Sequence, residues 1–162
     1  MGNSIAKRCA MVAGLLTAPI TARMEKPHPP KQALEDDRPM KLKNFFARKR
    51  APLASEANEF IVAADDNHLD WRLLPSIAFV ESGGGKEYRN NNVLGWANCE
   101  KAFTSVRAGI HAVAARLANS PLYRHKDIDH ILGTYNPRPE YSARVKAVMQ
   151  MIGSSPAIEA AD

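Results

Sequence analysis

The run Leu73-Leu74-Pro75-Ser76-Ile77-Ala78-Phe79-Val80-Glu81-Ser82, stopped by Gly83-Gly84-Gly85, constrains this chain more than any other segment. Read as a helix, it places Leu74, Ile77, Ala78 and Glu81 at i, i+3, i+4 and i+7, on one face. A carboxylic acid thus continues an apolar stripe, and three glycines end the helix directly behind it. Burial among apolar groups and the partial negative charge of a helix C-terminus both favour the protonated acid. That is the form a proton donor needs near neutral pH. The competing reading is plain: a Glu in a last helical turn is most often a solvated residue, so the other segments must decide.

Helical periodicity continues on both sides. Ser55 is placed to cap a helix whose Ala57, Phe60, Ile61 and Ala64 share a face. Asp70 is the expected cap of the Glu81 helix, which begins near Trp71 with Pro75 tolerated if it falls in the first turn. Ser105 can cap a third helix with Val106, Ile110, Val113 and Leu117 as its stripe, and Asp127 a fourth with Ile128, Ile131, Leu132 and Tyr135. The fifth follows Pro139 and aligns Tyr141, Val145, Val148 and Ile152. Residues 86–103 are polar, with Asn90-Asn91-Asn92 as a turn signal and room for a short hairpin. The expected fold is mainly α: five short helices around one polar loop or hairpin insertion, over residues 55–152, with a flexible tail at 153–162.

The first 22 residues read as a secretory signal, with Lys7-Arg8, an apolar Cys9–Leu16 and a small-residue exit. The apolar run is too short to span a bilayer, so cleavage and export to the periplasm or medium are expected. Lys7-Arg8 stand where small and apolar residues should precede a lipidated Cys9. Residues 23–54 read as a basic, Pro-rich linker carrying Pro27, Pro29, Pro30 and Pro39. Its portion 41–50 mixes bases with Phe45-Phe46 and has two readings, a solvated tail or a segment resting on an anionic membrane surface.

The formal charge of +5 divides unevenly. Residues 1–22 hold two bases and no acid, residues 23–50 nine bases and four acids, residues 51–162 eleven bases and thirteen acids. A nucleic-acid-binding domain carries its positive charge on the fold, so nucleic acid is not an expected partner. Cys99 alone remains after the signal, which excludes an intramolecular disulfide and suggests a buried structural cysteine. The five histidines form no metal-binding spacing; neither a metal nor a cofactor is expected, and a monomer is.

Four blocks then occur in a telling order: Ala78-Phe79-Val80-Glu81-Ser82-Gly83, Asn91-Asn92-Val93-Leu94-Gly95-Trp96, Phe103-Thr104-Ser105 with Gly109-Ile110, and Tyr135-Asn136-Pro137 with Tyr141. Over residues 55–152 the chain resembles the lysozyme-like superfamily, nearest to bacterial lytic transglycosylases and glucosaminidase-type peptidoglycan hydrolases. The resemblance implies that Glu81 is the catalytic acid and Ser82 the hydroxyl residue that follows it. It also implies that Asn92 to Gly95 line a glycan cleft and that Tyr135, with Asn136 behind it, approaches Glu81. Two departures stand out. The Gln of the transglycosylase turn is missing, and Thr-Tyr-Asn-Pro-Arg replaces Ala-Tyr-Asn-Ala-Gly.

Glycoside cleavage needs an acid and a second group that attacks or stabilises the oxocarbenium-like centre. No second carboxylate occupies an obvious partner position; Glu87 and Glu100 lie in the polar insertion and Asp65-Asp66 on a solvated face. A single-acid mechanism fits best, and for the MurNAc-GlcNAc strand that the resemblance implies as substrate it makes Glu81 the acid and then the base, forming 1,6-anhydro ends. Hydrolysis, or a silent glycan-binding module of the same fold, are the alternatives. Trp96 reads equally as a sugar-stacking platform or a loop tryptophan, Tyr135 as cleft or core, and Tyr141 and Trp71 as core.

Overall fold

A computed structural model describes residues 36–156, and six α-helices and a 3₁₀ turn account for most of them. They are α1 (Arg38–Arg48), the turn Pro52–Glu56, α2 (Ala57–Asp66), α3 (Leu73–Ser82), α4 (Val106–Asn119), α5 (Ile128–Tyr135) and α6 (Pro139–Gly153). The described residues contain no strand, so the expectation of a mainly α fold holds and the optional hairpin in 86–103 is absent. No helix among them is long and apolar enough to cross a membrane. The expected signal, the linker up to residue 35 and the tail from 157 onward lie outside the described residues.

Side-chain caps appear where short polar residues precede the stripes. Ser105 Oγ accepts from Ala108 N at 3.0 Å, and Asp127 Oδ1 from His130 N at 2.9 Å, each satisfying an orphan donor of the first turn. Asp70 works two residues earlier than expected. Its carboxylate takes the Arg72 N–H at 2.9 Å and the Arg72 guanidinium at 2.9 and 2.6 Å, and α3 begins only at Leu73. Ser55 caps nothing; it sits inside the 3₁₀ turn that leads into α2.

The linker expectation for 38–54 is overturned. Pro39 is not a breaker here: it occupies the first turn of α1, where a missing N–H costs nothing. Leu42, Phe45 and Phe46, at i, i+3 and i+4, are fully buried against the 3₁₀ turn, α2 and α6. Phe45 meets Phe79 edge-on at 5.2 Å, and Phe46 lies 6.0 Å from Phe60. Those aromatics are spent on the core, so α1 has no apolar face to offer a lipid surface. Arg38 adds a polar tie, gripping Asp65 of α2 through two bonds of 2.7 Å. The tail expectation also changes at its start: Ser155 is buried and accepts from Arg48 at 2.6 Å, and Asn44 donates to the Pro156 carbonyl at 2.9 Å.

With α1 inside the fold the charge argument reverses. Residues 36–156 hold seventeen bases and thirteen acids, a net charge of +4 rather than the slightly acidic body expected. The charge of the described residues therefore no longer argues against nucleic acid.

Candidate functional site

α3 carries its acid out of the core. Leu74, Ile77 and Ala78 are fully buried, but one turn later Glu81 is exposed, so the expected apolar burial of its carboxylate is not found. The helix stops at once because Gly83 adopts a left-handed conformation (φ 63°) and Gly84 N–H returns to the Ala78 carbonyl at 3.3 Å. Gly84 has a second reason to be glycine: a Cβ there would lie 2.6 Å from that of Ala51, directly behind α1. Ser82, implied as a substrate contact, is instead buried within this stop. Its hydroxyl donates to Ala78 O at 2.7 Å and accepts from Gly85 N at 3.0 Å.

The loop 91–99 forms the facing wall. Asn92, also implied as a glycan contact, is buried and fully engaged: Nδ2 donates to the carbonyls of Trp96 (2.8 Å) and Lys101 (3.0 Å), while Oδ1 accepts from Trp96 N (2.9 Å). Its side chain builds the loop that presents Trp96. Asn92→Ala is therefore expected to cost about 1–3 kcal/mol, the penalty for orphaned buried polar groups. Differential scanning calorimetry checks this; an unchanged midpoint would return Asn92 to substrate binding alone.

Gly95 lies directly against the acid. A Cβ built on it would stand 2.6 Å from Glu81 Oε2, and its φ of 68° suits only glycine comfortably. Beyond it Ala97, Asn98 and Cys99 all hold positive φ, with Cys99 N donating to Gly95 O at 3.3 Å. Such a left-handed turn of non-glycine residues stores about 1–2 kcal/mol per residue, a strain characteristic of functional loops. Cys99 is half-buried on this rim, not a core cysteine.

Four aromatic rings line up behind the loop. Trp96 lies 5.9 Å from Tyr123 and 5.6 Å edge-on from Tyr135, which stacks at 6.1 Å on Tyr141. The Tyr135 hydroxyl donates to Leu94 O at 2.6 Å, pinning α5 to the loop. Burial first, and then the Glu81 charge, push the ionisation of Tyr135 well up and that of Tyr141 likewise, so both stay neutral at any working pH. Tyr141 is core in its ring, as expected, yet its buried hydroxyl lies close enough to Glu81 to feel its charge and makes no hydrogen bond of ordinary geometry.

Two cavities meet at Glu81. The larger, about 510 Å³, is lined by Glu81, Gly95, Trp96, Tyr123, Tyr135 and Asn136 together with the 97–99 rim. The smaller, about 130 Å³, adds Arg138, Glu140, Tyr141 and Arg144 and shares Glu81 and Asn136 with it. Of the implied site residues, Glu81, Gly95, Trp96, Tyr135 and Asn136 therefore come together, whereas Ser82 and Asn92 serve as their scaffold. The sequence reading missed Tyr123 and the whole charged cavity. Arg138 between Pro137 and Pro139, and Arg144 one helical turn from Tyr141, were its available signals. Among the described residues no group of three or more His, Cys, Asp or Glu is placed to hold a metal.

The chain matches no family model, no curated protein and no solved structure. The lysozyme-like resemblance rests on the residues of the chain itself.

Proposed function

We propose that this protein is an exported enzyme that cleaves the glycan strand of peptidoglycan, with Glu81 as general acid and then base. The carrying observation is the place of Glu81 at the junction of two cavities, as the only acid lining the larger one. A glycan strand presented to the acid needs open volume beside it, and the larger cavity, lined by Glu81 and Trp96, supports that reading. Trp96 offers an aromatic face to the apolar C–H surface of a pyranose.

In the first step the Glu81 carboxyl donates its proton to the glycosidic oxygen following N-acetylmuramic acid. The C1–O bond breaks while the N-acetyl oxygen of the same sugar bonds to C1. In the second, the Glu81 carboxylate takes the proton of the C6 hydroxyl, O6 attacks C1, and the N-acetyl group is released intact. A 1,6-anhydro end results, and Glu81 is again protonated.

Glu140, on the wall of the smaller cavity, is the one observation favouring hydrolysis, since a second carboxylate could direct a water. Glu87 and Glu100, the acids of the polar insertion, line neither cavity. Digestion of purified sacculi with mass spectrometry of the muropeptides separates the outcomes. Anhydro ends support transglycosylation, and new reducing ends that disappear in Glu140→Gln support hydrolysis. Binding without any product would leave a glycan-binding module.

Gly95→Ala is expected to lower cleavage about 10²-fold, the loss attached to an ångström-scale displacement of a reacting group. Its Cβ must push the Glu81 carboxylate aside. Gly95→Ala turnover equal to wild type would show that Glu81 tolerates displacement and is not the positioned acid.

A further inference from the structure

We propose that Arg138 and Arg144 form a subsite for a carboxylate carried on the 3-O-lactyl arm of the muramic residue next to the scissile bond; this rests on the glycan-cleaving reading. Both guanidiniums line the cavity of about 130 Å³ that shares Glu81 and Asn136 with the main cleft. Among the described residues neither has an ion-pair partner, and of the arginines that lack one these two share a cavity with Glu81.

Arg138 is also oddly placed for a merely structural cation. It is the N-cap residue of α6, where the helix dipole disfavours a positive charge. Its backbone is nonetheless fixed. Pro137 and Pro139 flank it, and its N–H donates to Asn136 Oδ1 at 3.1 Å. That bond leaves Asn136 Nδ2 available as a further donor, and Tyr141, whose buried hydroxyl lies beside Glu81, lines the same cavity. Donors thus converge on a volume suited to a small planar acceptor, and guanidinium forks match a carboxylate in geometry. Glu140 is the one opposing charge besides Glu81.

The carboxylate has two sources: the lactyl group itself in peptide-free strands, or an acidic group of a stem peptide attached to it. Binding is measured by calorimetry on the full chain carrying Glu81→Gln, so that turnover is not needed. Four probes are compared: peptide-free muramyl strands, the same strands with the lactyl carboxylate reduced to an alcohol, peptide-bearing strands, and neutral β-1,4-linked N-acetylglucosamine oligomers.

Reduction of the carboxylate, or use of the neutral oligomer, is expected to weaken binding about 10–100-fold, as for loss of a charged hydrogen-bonded contact. Adding Arg138→Gln and Arg144→Gln should weaken the carboxylate-bearing probes equally and leave the reduced strand unchanged. If only peptide-bearing strands respond to the arginine changes, the anion is a stem carboxylate. Equal binding of reduced and unreduced strands together with indifference of peptide-bearing strands to the arginines overturns the subsite. So does an equal loss on the neutral oligomer. Wild-type protein that binds with arginine dependence but cleaves nothing overturns the enzymatic reading and leaves the subsite standing.

Discussion

Glu81→Gln is expected to lower strand cleavage by about 10²–10⁴-fold, the contribution of a positioned general acid, without moving the thermal midpoint. Glutamine keeps the shape and polarity of the side chain but has no proton to give and no anionic form to take one back. Both proposed steps use the same oxygen atoms, so the loss should fall at the upper end of that range. Stability should be untouched because Glu81 is exposed and glutamine fills the same space beside Gly95; the apolar face of α3 ends with Ala78 one turn earlier. Tyr135 and Tyr141 do not substitute as acids. Their hydroxyls are held neutral far above neutral pH, first by burial and then by the Glu81 charge, so they stay hydrogen-bond donors throughout the pH profile. The measurement is release of soluble muropeptides from sacculi, with Glu140→Gln alongside. Full activity of Glu81→Gln, or loss in Glu140→Gln alone, would sink the assignment.

The sequence showed the acid and the glycines behind it because both act locally. An i, i+4 stripe and a left-handed stop are properties of ten consecutive residues. The caps at Ser105 and Asp127, and the start of α6 at Pro139, were legible for the same reason. What the pattern could not tell was how far the stripe stays covered. Burial of Glu81 depends on whether another element covers the last turn of α3, and here the 91–99 loop approaches it at Gly95 yet leaves it exposed. Ser82 and Asn92 were visible as polar residues at significant positions, but their hydrogen bonds turn inward. Side-chain direction is settled by a fold, not by spacing. The charged cavity arises from α3 meeting α6, which are more than fifty residues apart in the chain. No local signal joins Arg138 and Arg144 to Glu81.

Phe46→Ala is expected to destabilise the protein by about 3–5 kcal/mol, as for other buried Phe truncations. For a domain of this size that is a fall in midpoint of about 10–20 °C. The ring is fully buried, tilted against Phe45 at 5.4 Å and Phe60 at 6.0 Å, and it closes over Gly84. Composition alone placed this residue in a linker, because four prolines and a run of charges surround it, and a linker residue truncated to alanine changes nothing. The helical spacing of Leu42, Phe45 and Phe46 is present in the sequence, and Pro39, counted there among the linker prolines, stands where proline starts a helix. Deletion of residues 1–50 provides the stronger form of the experiment. It removes α1, uncovers Phe60 and Phe79, strips the Phe46 ring from Gly84, and takes away the Phe46 carbonyl that holds Ala51 N at 2.9 Å beside the Gly83–Gly85 stop. Because that stop fixes the last turn of α3, loss of α1 should loosen Glu81 as well as the core. Near-ultraviolet circular dichroism and thermal melts on both variants decide it. A shortened chain with the full-length midpoint would show that the core does not need α1.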